Sequence, residues 1–231
     1  MTLMLKHIRG LWALLEVISV ETDDGLTDRD FSRLSDLVSL EKREKAARLR
    51  SRQGAVNLLM GEALARNAVC GRAGLPYEEL AISSNRYGKP YPVNAPGVYF
   101  NISHTGDLVV CAVSCGEVGV DVELVNRADM SVAKRFFSSD EYEYVISGGE
   151  ISEIAFCEIW TKKESYVKWE GKGLSTQLNS FSVLEIGRVG RPVFHAVRIR
   201  EDVRCHVCTD AGRIGSHRHY KQSELLEILF A

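Results

Sequence analysis

Apolar and polar positions alternate with period two in some stretches and recur at helical spacing in others. Val98-Tyr-Phe-Asn-Ile-Ser103 and Leu108-Val-Val-Cys-Ala-Val-Ser114 are β-rich runs joined by His104-Thr-Gly-Asp107, a hairpin-like connection. Glu117-Val-Gly-Val-Asp-Val-Glu123 follows, so the pattern predicts a three-strand meander. Leu11–Val17 reads as a buried first strand and a short strand is expected near Leu80–Ser83. Phe181–Val183, Val193–Ile199 and Val203–Thr209 also alternate as strands.

Helical spacing appears first at Thr27–Leu40, where Phe31, Leu34, Leu37 and Val38 share a face and Thr27 and Asp30 form a capping pattern. Ser39 caps a second, charged stretch from Leu40 to Arg50. Arg52–Cys70 carries Val56, Leu59, Met60, Ala63 and Leu64 inward and is ended by Gly71, Gly74 and Pro76. Met130–Phe137 reads as a short helix, Ser138-Ser-Asp-Glu141 as a capping box opening another through Val145, and Glu150–Glu170 as the longest helix of the second half. Tyr220–Phe230 is a terminal segment ending in apolar residues.

The chain has 231 residues, 45% hydrophobic and 26% charged, enough for one large domain or two compact halves. A formal charge of -2 gives no global pull toward nucleic acid or membrane, so anion binding must come from local clusters. No apolar run approaches the roughly 18 residues that span a bilayer. Lys6, His7 and Arg9 before Leu11–Leu15 mimic a signal peptide, but Glu16 closes the apolar run and no small-residue cleavage site follows. The six cysteines then read as reduced thiols of a cytoplasmic protein. Cys205-x-x-Cys208, with His206, His217 and His219, has a zinc-like look; in a strand, however, the two sulfurs point to opposite faces and cannot share a metal.

Asp121 and Glu123 fall on one face of the third strand of the predicted meander, with Val120, Val122 and Leu124 on the other. Two converging carboxylates repel, which a bound cation relieves; two solvated acids on a half-exposed strand would look the same. Glu164 and Lys168 are i, i+4 on the long helix, as in a surface ion pair worth about 0.3–0.5 kcal/mol. Lys162, Lys163 and Lys172 gather around them, and Gly171 and Gly173 stop the helix at once. Lys42 and Lys45 share a face that is either solvated or suited to a phosphorylated ligand. Gly88 and two prolines shape a loop that can hold Lys89 in place, and His104 lies at a strand end.

Gly119-Val-Asp-Val-Glu123 and Trp160-Thr-Lys-Lys-Glu-Ser-Tyr-Val-Lys168 resemble signature blocks of the Sfp-type 4'-phosphopantetheinyl transferases. So do Phe100-Asn-Ile-Ser-His104, Tyr87-Gly-Lys-Pro90 and Arg135-Phe-Phe-Ser138, in the family's order and at compatible spacing. Glu41-Lys-Arg-Glu-Lys45, Glu170-Gly-Lys-Gly-Leu174 and Asn179-Ser-Phe-Ser-Val183 extend the resemblance, which runs from about Glu41 to Phe181.

The resemblance implies transfer of the phosphopantetheine arm of coenzyme A to a serine of an apo acyl, peptidyl or aryl carrier protein, with release of 3',5'-ADP. It implies Mg²⁺, or Mn²⁺, held by Asp121, Glu123 and Glu164, with Lys168 acting on the leaving group and Glu141 at the family's proposed base position. Lys42, Lys45, Lys89, Ser103, His104, Asp121, Lys163 and Lys168 fall on coenzyme-binding positions. Asn57, in Asn57-Leu-Leu-Met-Gly61, stands where a basic or hydroxyl residue is expected, which puts one phosphate contact in doubt.

The implied fold is α+β: a monomer of two similar α/β subdomains related by a pseudo-twofold, antiparallel sheets with packed helices, and the cofactor in the cleft between them. The boundary is expected near Ser114–Glu117, giving halves 1–115 (nucleotide side) and 116–231 (acids and catalytic helix). The carrier is expected to dock near Val125–Phe137 through Met130, Val132, Phe136 and Phe137, with no nucleic acid or membrane partner. Two other functions fit the same residues: an Mg²⁺-dependent phosphoesterase acting on coenzyme A or a nucleotide, and a non-catalytic coenzyme A- or carrier-binding module.

Overall fold

Strand β1 (Leu15–Glu21) is followed by three helices, α1 (Asp28–Asp36), α2 (Leu40–Arg48) and α3 (Arg52–Ala73). Strands β2 (Ile82–Ser84) and β3 (Pro90–Pro92) flank the proline loop, and β4 (Tyr99–Thr105), β5 (Leu108–Ser114) and β6 (Val118–Leu124) follow. Next come α4 (Met130–Phe136), α5 (Ser139–Val145), the small hairpin β7 (Ile146–Ser147) and β8 (Glu150–Ile151), and α6 (Glu153–Glu170). The chain closes with β9 (Val193–Ala196), β10 (Val203–Thr209), β11 (Ile214–Lys221) and α7 (Gln222–Phe230). The computed structural model describes residues 15–231 except 127, 148, 187–189 and 191, so the start of the expected first strand and the leader-like stretch lie outside the described residues.

Two sheets carry the α+β architecture. One has the order β11-β1-β5-β4 and the other β6-β10-β9. Ile18 and Val20 of β1, with Val109, Cys111 and Val113 of β5, face α3 and its Val56, Leu59, Met60 and Leu64. The alternate residues, Leu15, Val17, Leu108, Val110 and Ala112, pack on Val118, Val120 and Val122 of β6 and Val203 and Val207 of β10. Strands β1 and β5 thus each feed two cores, which is why their runs are apolar on both faces. Ser51 and Ser152 cap the two long helices, and Gly74 and Gly171 end them at φ 68° and 72°, where a side chain is strained.

The β4–β5 hairpin forms as expected, but β6 does not complete a meander: it pairs antiparallel with β10, setting Asp121 opposite His206 and Glu123 opposite Arg204. Toward β4 it is held by side chains. Asn101 Oδ1 accepts from Val120 N at 2.9 Å, Ser103 donates to Asp121 at 2.8 Å and Thr105 to Glu123 at 3.2 Å. These polar residues alternate with Phe100 and Ile102, which belong to the α3 core. Further departures are the parallel pairing of β1 with β11, unforeseen among antiparallel sheets, and Phe181–Val183, which follows a 3₁₀ turn (Leu178–Ser180) and is not a strand. Strand β11 and α7, in the second half of the sequence, pack with the first sheet.

Gly119 permits the contact between β6 and α6. A Cβ there would lie 2.0 Å from Ser165 O and 2.3 Å from Trp169 N, both backbone atoms of the helix. Gly119→Ala is therefore expected to force β6 and α6 apart and lower unfolding stability by about 3 kcal/mol. Urea denaturation measures this, and a loss below about 1 kcal/mol would show that the helix can slide away cheaply.

Candidate active site

Lys168 reaches from α6 into the seam between β4 and β6. Its ammonium donates to Asp121 Oδ1 at 2.6 Å, Ser103 Oγ at 3.1 Å and the Val120 carbonyl at 3.1 Å. Asp121 is 4% exposed, and its Oδ1 accepts from both Lys168 and Ser103. Its Oδ2 is buried without a hydrogen-bond partner among the described residues. An orphaned carboxylate oxygen in such a place is costly unless a further electropositive group completes it.

Glu164 lies one helical turn before Lys168. Burial pushes its carboxyl pKa up, the Asp121 and Glu123 charges add to the rise, and Lys168 opposes it. The three acids therefore share one field, although among the described residues no group of three or more His, Cys, Asp or Glu side chains is gathered into a closed metal-holding set. Hard carboxylate oxygens and the orphaned Asp121 Oδ2 fit a hard divalent cation, with Asp121, Glu123 and Glu164 as its candidate ligands.

Two cavities meet at this seam. One, of about 740 Å³, is lined by Lys89, Glu164 and Lys168, with Arg135 and Phe136 of α4 and the segment Thr176–Asn179. The other, of about 800 Å³, is lined by Lys42, Lys45, His104 and Ser83. Gly88, Pro90 and Asn101 border both, so a single trough runs from the basic face of α2 across the seam to α6. The loop between them is clamped: Asn85 accepts from the amides of Tyr87 and Lys89 and donates to Gly171 O at the end of α6.

Two family descriptions match the chain. "4'-Phosphopantetheinyl transferase, N-terminal" covers residues 26–116 and "4'-phosphopantetheinyl transferase superfamily" covers residues 117–220. The 4'-phosphopantetheinyl transferase Sfp of Bacillus subtilis (strain 168) is 35% identical over 170 residues, which is 73% of this chain and 76% of the relative. The psf-1 transferase of Bacillus pumilus is 38% identical over 161 residues, 69% of each chain. The gsp transferase of Aneurinibacillus migulanus is 36% identical over 169 residues, 73% of this chain and 70% of its own. The chain belongs to the 4'-phosphopantetheinyl transferase superfamily.

In this transferase fold the residues expected to act fall into two groups. Asp121, Glu123, Glu164, Lys168 and Ser103 meet at the seam, and Lys42, Lys45 and His104 line the trough beside it. The lysine helix α2 is fixed because buried Glu62 of α3 accepts from both the amide and the hydroxyl of its N-cap, Ser39. Lys89 borders the trough, but its ammonium is held by Glu117 at 2.6 Å and the Trp169 carbonyl at 3.0 Å, so it ties the loop to α6 instead of standing ready for a phosphate. Asn57 is likewise engaged, accepting from Thr22 and Gln53 and donating to Gly106 O at the β4–β5 turn.

Glu141 and Lys163 do not face the trough. Each has a side chain 0% exposed, and they pair with one another at 2.7 Å. Glu141 also closes the capping box with Ser138 N and accepts from Val183 N, so as placed it has no path to a substrate hydroxyl. Consecutive residues of a helix point about 100° apart, which turns Lys163 inward where Glu164 faces the cavity. Sequence reasoning gave no role to Asn101 and Thr105, although their alternation with Phe100, Ile102 and His104 could have found them. Cys205 and Cys208 are buried with thiol pKa values raised by that burial. His206 is pushed down to about 3 by burial and bonds Thr161, while His217 and His219 both bond Ser19.

Desolvation in the trough lowers the pKa of His104, and Lys168, Lys45 and Lys42 lower it further against the pull of Asp121. A bound polyanion reverses the lysine effect and raises that pKa, so binding takes up a proton. Pyrophosphate affinity is expected to rise as pH falls through the bound-state pKa and to level off below the free-state one. Calorimetric titrations of wild type and His104→Gln across pH test this; equal slopes in the two proteins would remove His104 from the anion site.

Proposed function

We propose that the chain transfers the 4'-phosphopantetheine arm of coenzyme A to a serine of an apo carrier protein and releases 3',5'-ADP, and that the seam residues perform the transfer. The observation that supports this most is the Lys168–Asp121–Ser103 cluster, with its orphaned Asp121 oxygen, in a trough that is basic at one end. Lys42, Lys45 and His104 hold the nucleotide phosphates in the larger cavity, and the arm passes the Gly88–Pro90 loop into the cavity under α6.

In the reaction the carrier serine Oγ bonds to the phosphorus that bears pantetheine, and the bond from that phosphorus to the bridging oxygen breaks. Lys168, released from part of its hold on Asp121 and Ser103, donates to the departing oxygen of 3',5'-ADP. Glu164, the catalytic candidate acid that lines the cavity, takes the serine proton; Glu141, paired and enclosed, does not. Asp121, Glu123 and Glu164 would hold Mg²⁺ or Mn²⁺, which when bound neutralises pyrophosphate charge.

The carrier meets the Val125–Phe137 segment, but with fewer residues than its apolar sequence suggests. Phe137 is 5% exposed and packs with Phe156 and Trp160 in a third core. Val132 and Phe136 remain accessible, lining a 220 Å³ pocket with Trp160 beside Glu123, and an apolar residue of a carrier helix fits there. No helix among the described residues is long and apolar enough to cross a membrane. The protein works as a monomer in the cytoplasm.

Incubating a panel of apo carriers with coenzyme A, Mg²⁺ and the protein should add one phosphopantetheine to the intact mass of at least one; no gain on any carrier overturns the reading. Asp121→Ala is expected to lower the initial rate at least roughly 100-fold with the helical circular dichroism retained. Removal of the metal with EDTA should do the same to wild type. An undiminished rate in the variant would refute the assignment of Asp121.

A further inference from the structure

A buried ion pair that serves no substrate needs another reason to be present, because desolvating two charges costs about as much as their attraction returns. In Glu141–Lys163 the reason lies in what the remaining polar atoms hold. Lys163 Nζ donates to the carbonyls of Leu178 at 2.6 Å and Phe181 at 2.8 Å as well as to Glu141. Glu141 Oε1 accepts from Val183 N at 2.7 Å, and Oε2 from Ser138 N at 2.8 Å. Three stretches distant in sequence therefore meet on one pair: α6, the α4–α5 junction and the segment 178–183.

Two of these stretches are walls of the smaller trough cavity. Arg135 and Phe136 come from the end of α4, and Leu178 and Asn179 from the start of the clamped segment. Ser182 reinforces the join by donating to Asp140 at 2.5 Å, and Phe181 lies against Tyr166 of α6 with ring centroids 4.7 Å apart.

We propose that Glu141 and Lys163 are positioning residues: their pair fixes segment 178–183 against α6 and so sets the wall that receives the pantetheine arm. This rests on the transferase function, since the arm is what that reading places in the cavity. A positioning pair and a catalytic base make opposite predictions. Breaking the pair on either side leaves one buried charge unmatched, whereas neutralising both sides removes the conflict. In Glu141→Gln with Lys163→Met, the glutamine oxygen can still accept from Val183 N, but its NH2 cannot accept from Ser138 N, and the Leu178 and Phe181 carbonyls lose their donor.

The test is steady-state transfer by wild type, each single variant and the double variant, together with amide hydrogen exchange of residues 178–183. Each single variant is expected to raise the KM for coenzyme A about tenfold, with kcat within about threefold of wild type. Exchange at the Val183 amide should speed up while that of α3 is unchanged. The double variant relieves the charge conflict and should regain unfolding stability over the single variants, but without the Lys163 bonds to the Leu178 and Phe181 carbonyls it should keep the raised KM and fast exchange. A kcat loss of roughly 100-fold or more in Glu141→Gln that persists in the double variant would make Glu141 the base and overturn the proposal. Unchanged exchange in the single variants would also overturn it. A wild-type protein that modifies no carrier defeats the transferase function instead, and the exchange measurement then still decides whether the pair clamps the segment.

Discussion

The structure depends on how β6 is satisfied along the edge that faces β4. One edge pairs with β10; the other meets a strand with which it forms no backbone ladder. A buried amide there must find another acceptor, and Val120 N finds the Asn101 side chain. The same spacing that lets Asn101, Ser103 and Thr105 replace a ladder leaves a gap wide enough for side chains, and Asp121 and Glu123 occupy it. Had β6 completed a meander with β5, the acids would have lain on an ordinary sheet face. They stand in a cleft because β6 left the first sheet for the second.

A carboxylate as enclosed as Asp121 is tolerable only with donors around it. Ser103 supplies one and Lys168 another, and Lys168 can arrive because Gly119 lets the α6 backbone approach the strand more closely than any side chain would allow. The glycine at the start of the Gly119–Glu123 block and the lysine at the end of the Trp160–Lys168 block are thus parts of one contact. The lysine directs its protons to three protein acceptors at distances a phosphate oxygen can match. In the proposed reaction, exchanging these partners for a phosphate oxygen is less demanding than moving a hydrated ammonium into a dry site.

Much of this was legible in sequence. The alternation of Val120, Val122 and Leu124 with Asp121 and Glu123 gave the strand and the shared face of the acids, and the helical period gave α3 and α6 with their glycine stops. Strand partners were not legible, because periodicity fixes which face is buried and is silent about which strand lies alongside; hence the expected meander. Strand β11 escaped notice because Ser216, His217, Arg218 and His219 are exposed at a sheet edge and carry no apolar alternation. For Lys89 and Lys163, charge was visible but the acceptors were not: Glu117, the Trp169 carbonyl and Glu141 are distant in sequence or belong to the backbone.

Helix α6 explains why neighbouring residues have such different fates. Lys163 turns into the interior to bind Glu141 and two carbonyls, Glu164 turns to the cavity, and Lys168 stands on Glu164's side one turn on, in the seam. A helix that carries chemistry on one face must be prevented from rolling, since a small rotation would withdraw Glu164 and Lys168 together. The hydrophobic effect that buries its apolar face is non-directional, so it sets the rotation less specifically than hydrogen bonds do. Three directed bonds from one buried ammonium fix the rotation far more narrowly. The run of lysines and glutamate in Lys162-Lys-Glu164 therefore puts two different roles in adjacent positions, Lys163 holding the helix and Glu164 facing the cavity.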